Sequence, residues 1–193
     1  MVSLTHTHFF LQCFEVVKAL IEAGVDVNKC EKRLGMSPIY VASEGGFTRI
    51  VSLLLKVEGI DVNRPRTDNS TTCLMMAVKG RHLDVIRLLL EVDGIEVNAQ
   101  GVLGMTALYM SCELGFHDVV ELLLQRDDVD ANLARTDNGA TPLLMAVSRR
   151  LRLSFFLSFF DFLSSHILRL SVSIPFAQTS SLRTVTGTSS IHC

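Results

Sequence analysis

The chain is poor in the short motifs on which most site chemistry depends. It contains no phosphate-binding P-loop, no G-x-G-x-x-G element, no H-E-x-x-H pair and no G-x-S-x-G nucleophile elbow. The commonest nucleotide, zinc-protease and hydrolase sites are therefore not written in it. Cysteine is sparse as well: Cys13, Cys30, Cys73, Cys112 and Cys193 are five in number, widely spaced and without a C-x-x-C pair, which excludes a disulfide framework and a zinc knuckle. Charge of one sign is not in excess. With 18 Lys+Arg against 20 Asp+Glu and a net charge of −2, the overall balance does not point to nucleic acid or an anionic membrane. The N-terminus has no basic start followed by a long uncharged apolar run, so no secretory signal is read and the expected address is the cytosol, with the nucleus also open. At 193 residues the chain can bury a sizeable core without staples.

What the chain does have is repetition. "RTDNSTTCLMMAV" begins at Arg66 and "RTDNGATPLLMAV" begins at Arg135. One active site needs one nucleophile or one acid–base pair, whereas a stacked structural unit is naturally duplicated, so this repetition points to architecture. Leucine triplets start at Leu53, Leu88 and Leu122, and asparagines ending the phrases "VDVN", "IDVN", "IEVN" and "VDAN" fall at Asn28, Asn63, Asn98 and Asn132. The two series step in the same rhythm, with a period near 34 residues from about residue 12 to 148.

Each period repeats one local grammar. Ser37, Thr72, Thr106 and Thr141 each precede a short apolar stretch, with Pro38 and Pro142 following two of them. This is the pattern of a helix N-cap hydroxyl with proline in the first turn. Gly46, Gly80 and Gly115 stand near the end of that first helix, where left-handed geometry lets the chain reverse. A second helix follows in "FTRIVSLLLK", "HLDVIRLLLE" and "FHDVVELLLQ", with Asp84 and Asp118 in the first turn, where the helix dipole favours anions. The segments rich in Gly, Asn, Asp and charge between units predict extended turns or hairpins. Two helices and a turn cannot close a core alone, so each unit must stack on the next.

The pattern G-x-[ST]-P-L-x-x-A, then V-[VI]-x-L-L-L, then [VI]-[DE]-V-N resembles the ankyrin repeat, best from Gly35 to Val147. The family's usual histidine within the motif is replaced by Tyr40, Met75, Tyr109 and Leu144, and its proline by Cys73 and Ala107. The period is also one or two residues longer than the family's, the additions lying in "KVEGI", "EVDGI" and "QRDDV". The resemblance implies an all-α solenoid of helix-turn-helix repeats with projecting hairpins. Its units are a degenerate N-terminal repeat at 3–33, repeats at 34–66, 67–101 and 102–135, and a truncated repeat at 136–150. Repeats opening "LGM" (Leu34, Leu103) alternate with repeats opening "RTDN" (Arg66, Arg135), so the copied unit is a pair of repeats.

The ends depart from this grammar. "SLTHTHFFLQCF" lacks the glycine and alanine of a first helix. After Arg150 the composition turns to Phe, Leu and Ser, and three readings are open for residues 151–170. Phe155, Phe159 and Phe162, with Phe156, Phe160, Leu163 and Ile167 alongside, form an apolar helical face that would serve as a surrogate cap. As a membrane span the stretch is short of the ~20 apolar residues required, and lengthening it takes in Asp161 at a cost of ~2.5–3.5 kcal/mol. The third reading is a gene-model artefact. Residues 171–193 have the composition of a disordered tail.

For chemistry the bland readings prevail. His6 and His8 alternate as in a strand, and no second ligand pair closes a metal site around them. His82 and His117 stand at helix starts, and Cys73 and Cys112 are small hydrophobes of first helices. Catalytic residues, metal and cofactor are therefore expected to be none.

By the resemblance, hairpin tips and the exposed side of the first helices form a concave surface that binds a partner protein. That role falls on Lys32, Arg33, Met36, Glu44, Arg64, Arg66, Asp68, Asn69, Thr71, Lys79, Met105, Glu113, Arg135, Asp137, Asn138 and Ala140. The arginines and Lys32 give this edge a modest basic bias, so a partner with an acidic segment is expected; nucleic acid is not. The expected function is non-catalytic protein–protein interaction by a monomer. Two alternatives keep the fold: a regulatory fragment of a larger multidomain protein, and a membrane-associated adaptor anchored by residues 151–170.

Overall fold

The computed structural model describes residues 4–149, with side chains from Cys13 onward. These residues belong to one compact unit, Met1–Leu151. The expectations for the Phe-rich segment and the tail lie outside the described residues.

Seven helices are α1 (Leu4–Glu22), α2 (Pro38–Glu44), α3 (Thr48–Leu54), α4 (Cys73–Lys79), α5 (Leu83–Leu90), α6 (Ala107–Leu114) and α7 (His117–Leu124). A further helix, α8, occupies residues 142–149, and no strand is present among the described residues. The four first helices of the repeats start as their sequences require. Ser37, Thr72, Thr106 and Thr141 accept through their side-chain oxygens from the backbone N–H of Tyr40, Met75, Tyr109 and Leu144 at 3.3, 3.4, 3.1 and 3.3 Å. Each satisfies one N–H that the helix cannot satisfy itself.

Two rows of helices result. α2, α4 and α6 stack in one row, and α1, α3, α5 and α7 stack in the other. The core lies where the rows meet. In each leucine triplet the middle residue turns fully inward: Leu54, Leu89 and Leu123 are all buried, each worth ~1.5–3 kcal/mol relative to exposure. α4, in the middle of its row, is buried at every position from Cys73 to Val78. Its neighbours on both sides supply the contact that no single repeat could make.

The recurrent asparagines join one repeat to the next. Asn28, Asn63 and Asn98 each donate through Nδ2 to the carbonyl of Gly59, Gly94 and Asp128, at 2.7, 2.8 and 2.6 Å. Each accepts through Oδ1 from the N–H of Asp61, Glu96 and Asp130, at 2.8, 2.9 and 2.8 Å. All the accepting carbonyls lie in "KVEGI", "EVDGI" and "QRDDV". The residues that lengthen the period are thus the ones that receive the asparagine of the preceding unit, in an amide ladder along the array.

Two expectations are corrected. The residue that reverses the chain after α4 is not Gly80, whose φ is −80°, but Arg81, at φ 54°. In the flanking repeats Gly46 and Gly115 hold this place at φ 69°. Glycine is doubly required there: a Cβ on Gly46 would stand 2.4 Å from the His82 ring, and one on Gly115 would stand 2.8 Å from Arg149 Nε. Arg81 instead extends its own side chain to the next repeat, with the guanidinium carbon 5.2 Å from the Phe116 ring centroid and Nη2 donating to Asp118 Oδ2 at 2.9 Å.

The second correction concerns the N-terminus. Strand-like alternation was expected at His6 and His8, but α1 runs unbroken from Leu4 to Glu22. No glycine or proline interrupts that stretch, so nothing splits it into a helix pair.

Candidate functional site

The tips are closed by backbone bonds. Arg66 N–H donates to the Thr71 carbonyl at 2.8 Å and Arg135 N–H to the Ala140 carbonyl at 2.9 Å, while Glu31 and Gly101 make the corresponding bonds to Met36 and Met105 at 3.0 and 2.9 Å. Within the RTDN tips the side chains tighten the loop. Arg66 forms a two-point ion pair with Asp68, Nε to Oδ1 and Nη2 to Oδ2 both 2.8 Å. Arg135 pairs with Asp137 in the same way, at 2.9 and 2.6 Å. Asn69 and Asn138 accept from the N–H two residues on, at 3.1 and 2.9 Å, a local turn that asparagine makes readily.

These tips also grip the repeat before them. The Tyr40 hydroxyl lies 3.0 Å from Thr71 Oγ1 and, ahead of Asp68, holds the Arg66 guanidinium above its ordinary pKa. Asp137, and after it the Tyr109 hydroxyl, hold the Arg135 guanidinium above its ordinary pKa, and its guanidinium carbon stands 5.8 Å from the Tyr109 ring centroid. Thr67 and Thr136 donate their N–H to the carbonyls of Leu34 and Leu103, at 3.0 and 2.9 Å. Gly35 and Gly104 leave room for the threonine methyls, which a Cβ would meet at 2.6 and 2.8 Å.

The alternation of LGM and RTDN repeats therefore has a packing reason. Leu, Gly and Tyr of the first type receive Thr and Arg of the second, and the pair was copied as one interface. Tyrosine at the position where histidine is usual is part of that fit.

The predicted site residues divide accordingly. Thr71 and Ala140 are buried, 9% and 6% exposed, so the structure withdraws them from the surface: Thr71 is bonded to Tyr40 and Asn69, and Ala140 closes its tip. Arg66, Asp68, Asn69, Arg135, Asp137 and Asn138 are engaged in the tip bonds just described. Arg66 and Arg135 also contact Tyr40 and Tyr109, which lie 26 residues away in the preceding repeat and are not neighbours within the RTDN motif.

Lys32, Arg33, Glu44, Arg64, Lys79 and Glu113 are exposed, and Met36 and Met105 are half-buried at the tip bases. Arg64 makes one long bond, Nη1 to the Asn28 carbonyl at 3.4 Å. Lys32, Arg33 and Lys79 form no side-chain ion pair among the described residues. Glu44 and Glu113 are held by their carbonyls, which receive His82 Nε2 at 3.1 Å and Arg149 Nη1, and their carboxylates are left outward.

Nothing in this region resembles an activated nucleophile. Burial pushes the Cys73 thiol up to about 12, and its Sγ donates to the Val62 carbonyl at 3.1 Å. Cys112 is also raised by burial. Among the described residues no group of three or more His, Cys, Asp and Glu is placed to hold a metal ion. No helix among them is long and apolar enough to cross a membrane.

A family model described as ankyrin repeats (3 copies) matches residues 8–101 and 93–158. No curated protein matches the chain.

Proposed function

The chain belongs to the ankyrin-repeat family, whose repeats are generally protein–protein interaction modules, and from that premise we propose that it binds a partner protein without catalysis. The contact face is the row of exposed side chains Lys32, Arg33, Arg64, Lys79, Glu44 and Glu113, which form no ion pair among the described residues, with Met36 and Met105 as apolar anchors between them. The observation that carries this reading is the division of labour in the tips. Arg66–Asp68 and Arg135–Asp137 are spent on holding the loops, so the neighbouring charges are presented from a rigid frame, which limits the ordering cost of binding. Four of the six charges are cationic, so the partner segment is acidic. A stable interface would bury about 1,600 Å² in total, more than one repeat offers and within the reach of four.

Site-specific photo-cross-linking tests this. A photoreactive residue at Lys79 should capture a discrete partner from native lysate, and one at Glu121, on the opposite helix row in α7, should not. Capture from Glu121 with none from Lys79 would refute the assignment of the face.

A further inference from the structure

The other row of helices carries a cleft of about 500 Å³ lined by residues of α3 and α5 and by Phe14 of α1. That volume falls within the range of ~300–1,000 Å³ typical of ligand sites. Its lining combines the apolar side chains of Leu53, Leu88 and Phe14 with the cations Arg49, Lys56 and Arg87. Asp84 is the one carboxylate lining it, so the lining holds three cations to one anion. Arg49 lies over the Phe14 ring, 4.2 Å from its centroid, while Lys56 and Arg87 form no ion pair among the described residues.

This charge is not explained by the stack. Arg81 and Arg126, on neighbouring units, have the carboxylates of Asp118 and Asp128. Lys56 and Arg87 face a hollow instead.

We propose that this cleft is a second docking site, beyond the tip face, for an acidic peptide segment of a partner protein that carries apolar anchors. The occupant follows from the spacing. Arg49 and Lys56 are seven residues apart, roughly 10 Å along the backbone at the rise of a helix, and Arg87 belongs to the next repeat, so the cations are distributed along the cleft. A chain segment with several acidic residues spans them, and leucine-type side chains between those residues meet the apolar side chains of the lining. Neither a bare anion nor an uncharged apolar peptide satisfies both the cations and the apolar side chains of the lining.

The test is fluorescence anisotropy of the full chain with a labelled peptide in which glutamates and leucines alternate. Saturable binding is expected, weakened about tenfold by Lys56→Glu with Arg87→Glu, the effect of reversing two exposed charges, and weakened by a smaller factor by Lys32→Glu with Lys79→Glu. Circular dichroism of both double variants establishes that they remain folded. The same peptide with glutamine for glutamate should lose the binding. Equal affinity for the cleft variant and the native chain would overturn the proposal, as would loss of binding only in the tip variant. Displacement of the peptide by inorganic phosphate at comparable concentration would assign the cleft to a lone anion and overturn it too.

Discussion

Replacing Asn63 by alanine should open one rung of the amide ladder and leave the core untouched. The side chain makes two bonds to the next repeat, to the Gly94 carbonyl at 2.8 Å and from the Glu96 N–H at 2.9 Å. A net value of about 0.5–1.5 kcal/mol for each, reduced because water can reach both groups, gives a loss of roughly 1–2 kcal/mol. For a unit of this size that corresponds to a fall in Tm of roughly 2–8 °C. Asn63→Asp keeps the acceptor for Glu96 and loses the donor to Gly94, so it should cost about half as much. Amide hydrogen exchange separates the two bonds. The Glu96 amide should lose protection in Asn63→Ala and retain it in Asn63→Asp, while amides of α4 change little. Equal protection of Glu96 in the alanine variant and the native chain would refute the ladder, as would a stability change below about 0.3 kcal/mol, within the scatter of independent surface changes.

Further expectations follow from the packing. Leu89→Ala, at a fully buried position in the middle of the array, should cost ~2–5 kcal/mol, whereas Leu124→Ala, 53% exposed, should cost less than about 0.5 kcal/mol; urea unfolding giving equal losses would contradict the stacked core. Ser70 holds φ 53° where Gly35, Gly104 and Gly139 hold the same place in other tips, so Ser70→Gly should gain about 0.5–1 kcal/mol in the same assay by relieving left-handed strain, and a loss would contradict that reading. Gly46→Ala should destabilise, because the new Cβ meets His82, and its Tm should fall clearly below the native value. Acid should loosen the array. The N–H groups of Leu34 and Arg33 hold Glu31 low, and the guanidinium groups of Arg81, Arg126 and Arg135 hold Asp118, Asp128 and Asp137 below the usual carboxylate range. Their stabilisation is present at neutral pH and is lost as pH falls through the lowered folded-state values, under about pH 4. Asp118→Asn should flatten this acid limb in urea midpoints measured against pH; an unchanged limb would exclude the Arg81 pair as a contributor.

The periodicity was legible because it is local and frequent. Triplet leucines, N-cap hydroxyls and the asparagine phrases each occur at least three times, and each obeys a rule that acts within one turn or one helix. The failures have the opposite character. The purpose of the asparagines could be heard only as rhythm, since their partners lie 30 to 33 residues away in the following unit. The contacts of Arg66 and Arg135 with Tyr40 and Tyr109 were hidden for the same reason, the tyrosines belonging to the repeat before. The reversal after α4 was assigned to Gly80 on residue type alone, but the left-handed position is set by the repeat register and falls on Arg81. At the N-terminus the alternation of His6 and His8 suggested a strand where the absence of a breaking residue left one unbroken helix. The cleft lined by α3 and α5 gave no motif at all, because Lys56 and Arg87 belong to successive repeats and meet only when these stack.

Partner capture by the full chain, native against Lys32→Glu/Arg33→Glu/Lys79→Glu, is the most direct test of the claim that exposed tip-side charges form the recognition surface. The account predicts that the triple variant keeps the native Tm, since none of the three side chains takes part in an ion pair among the described residues, and that it loses the partner held by the native chain. Undiminished capture by a fully folded triple variant would contradict it.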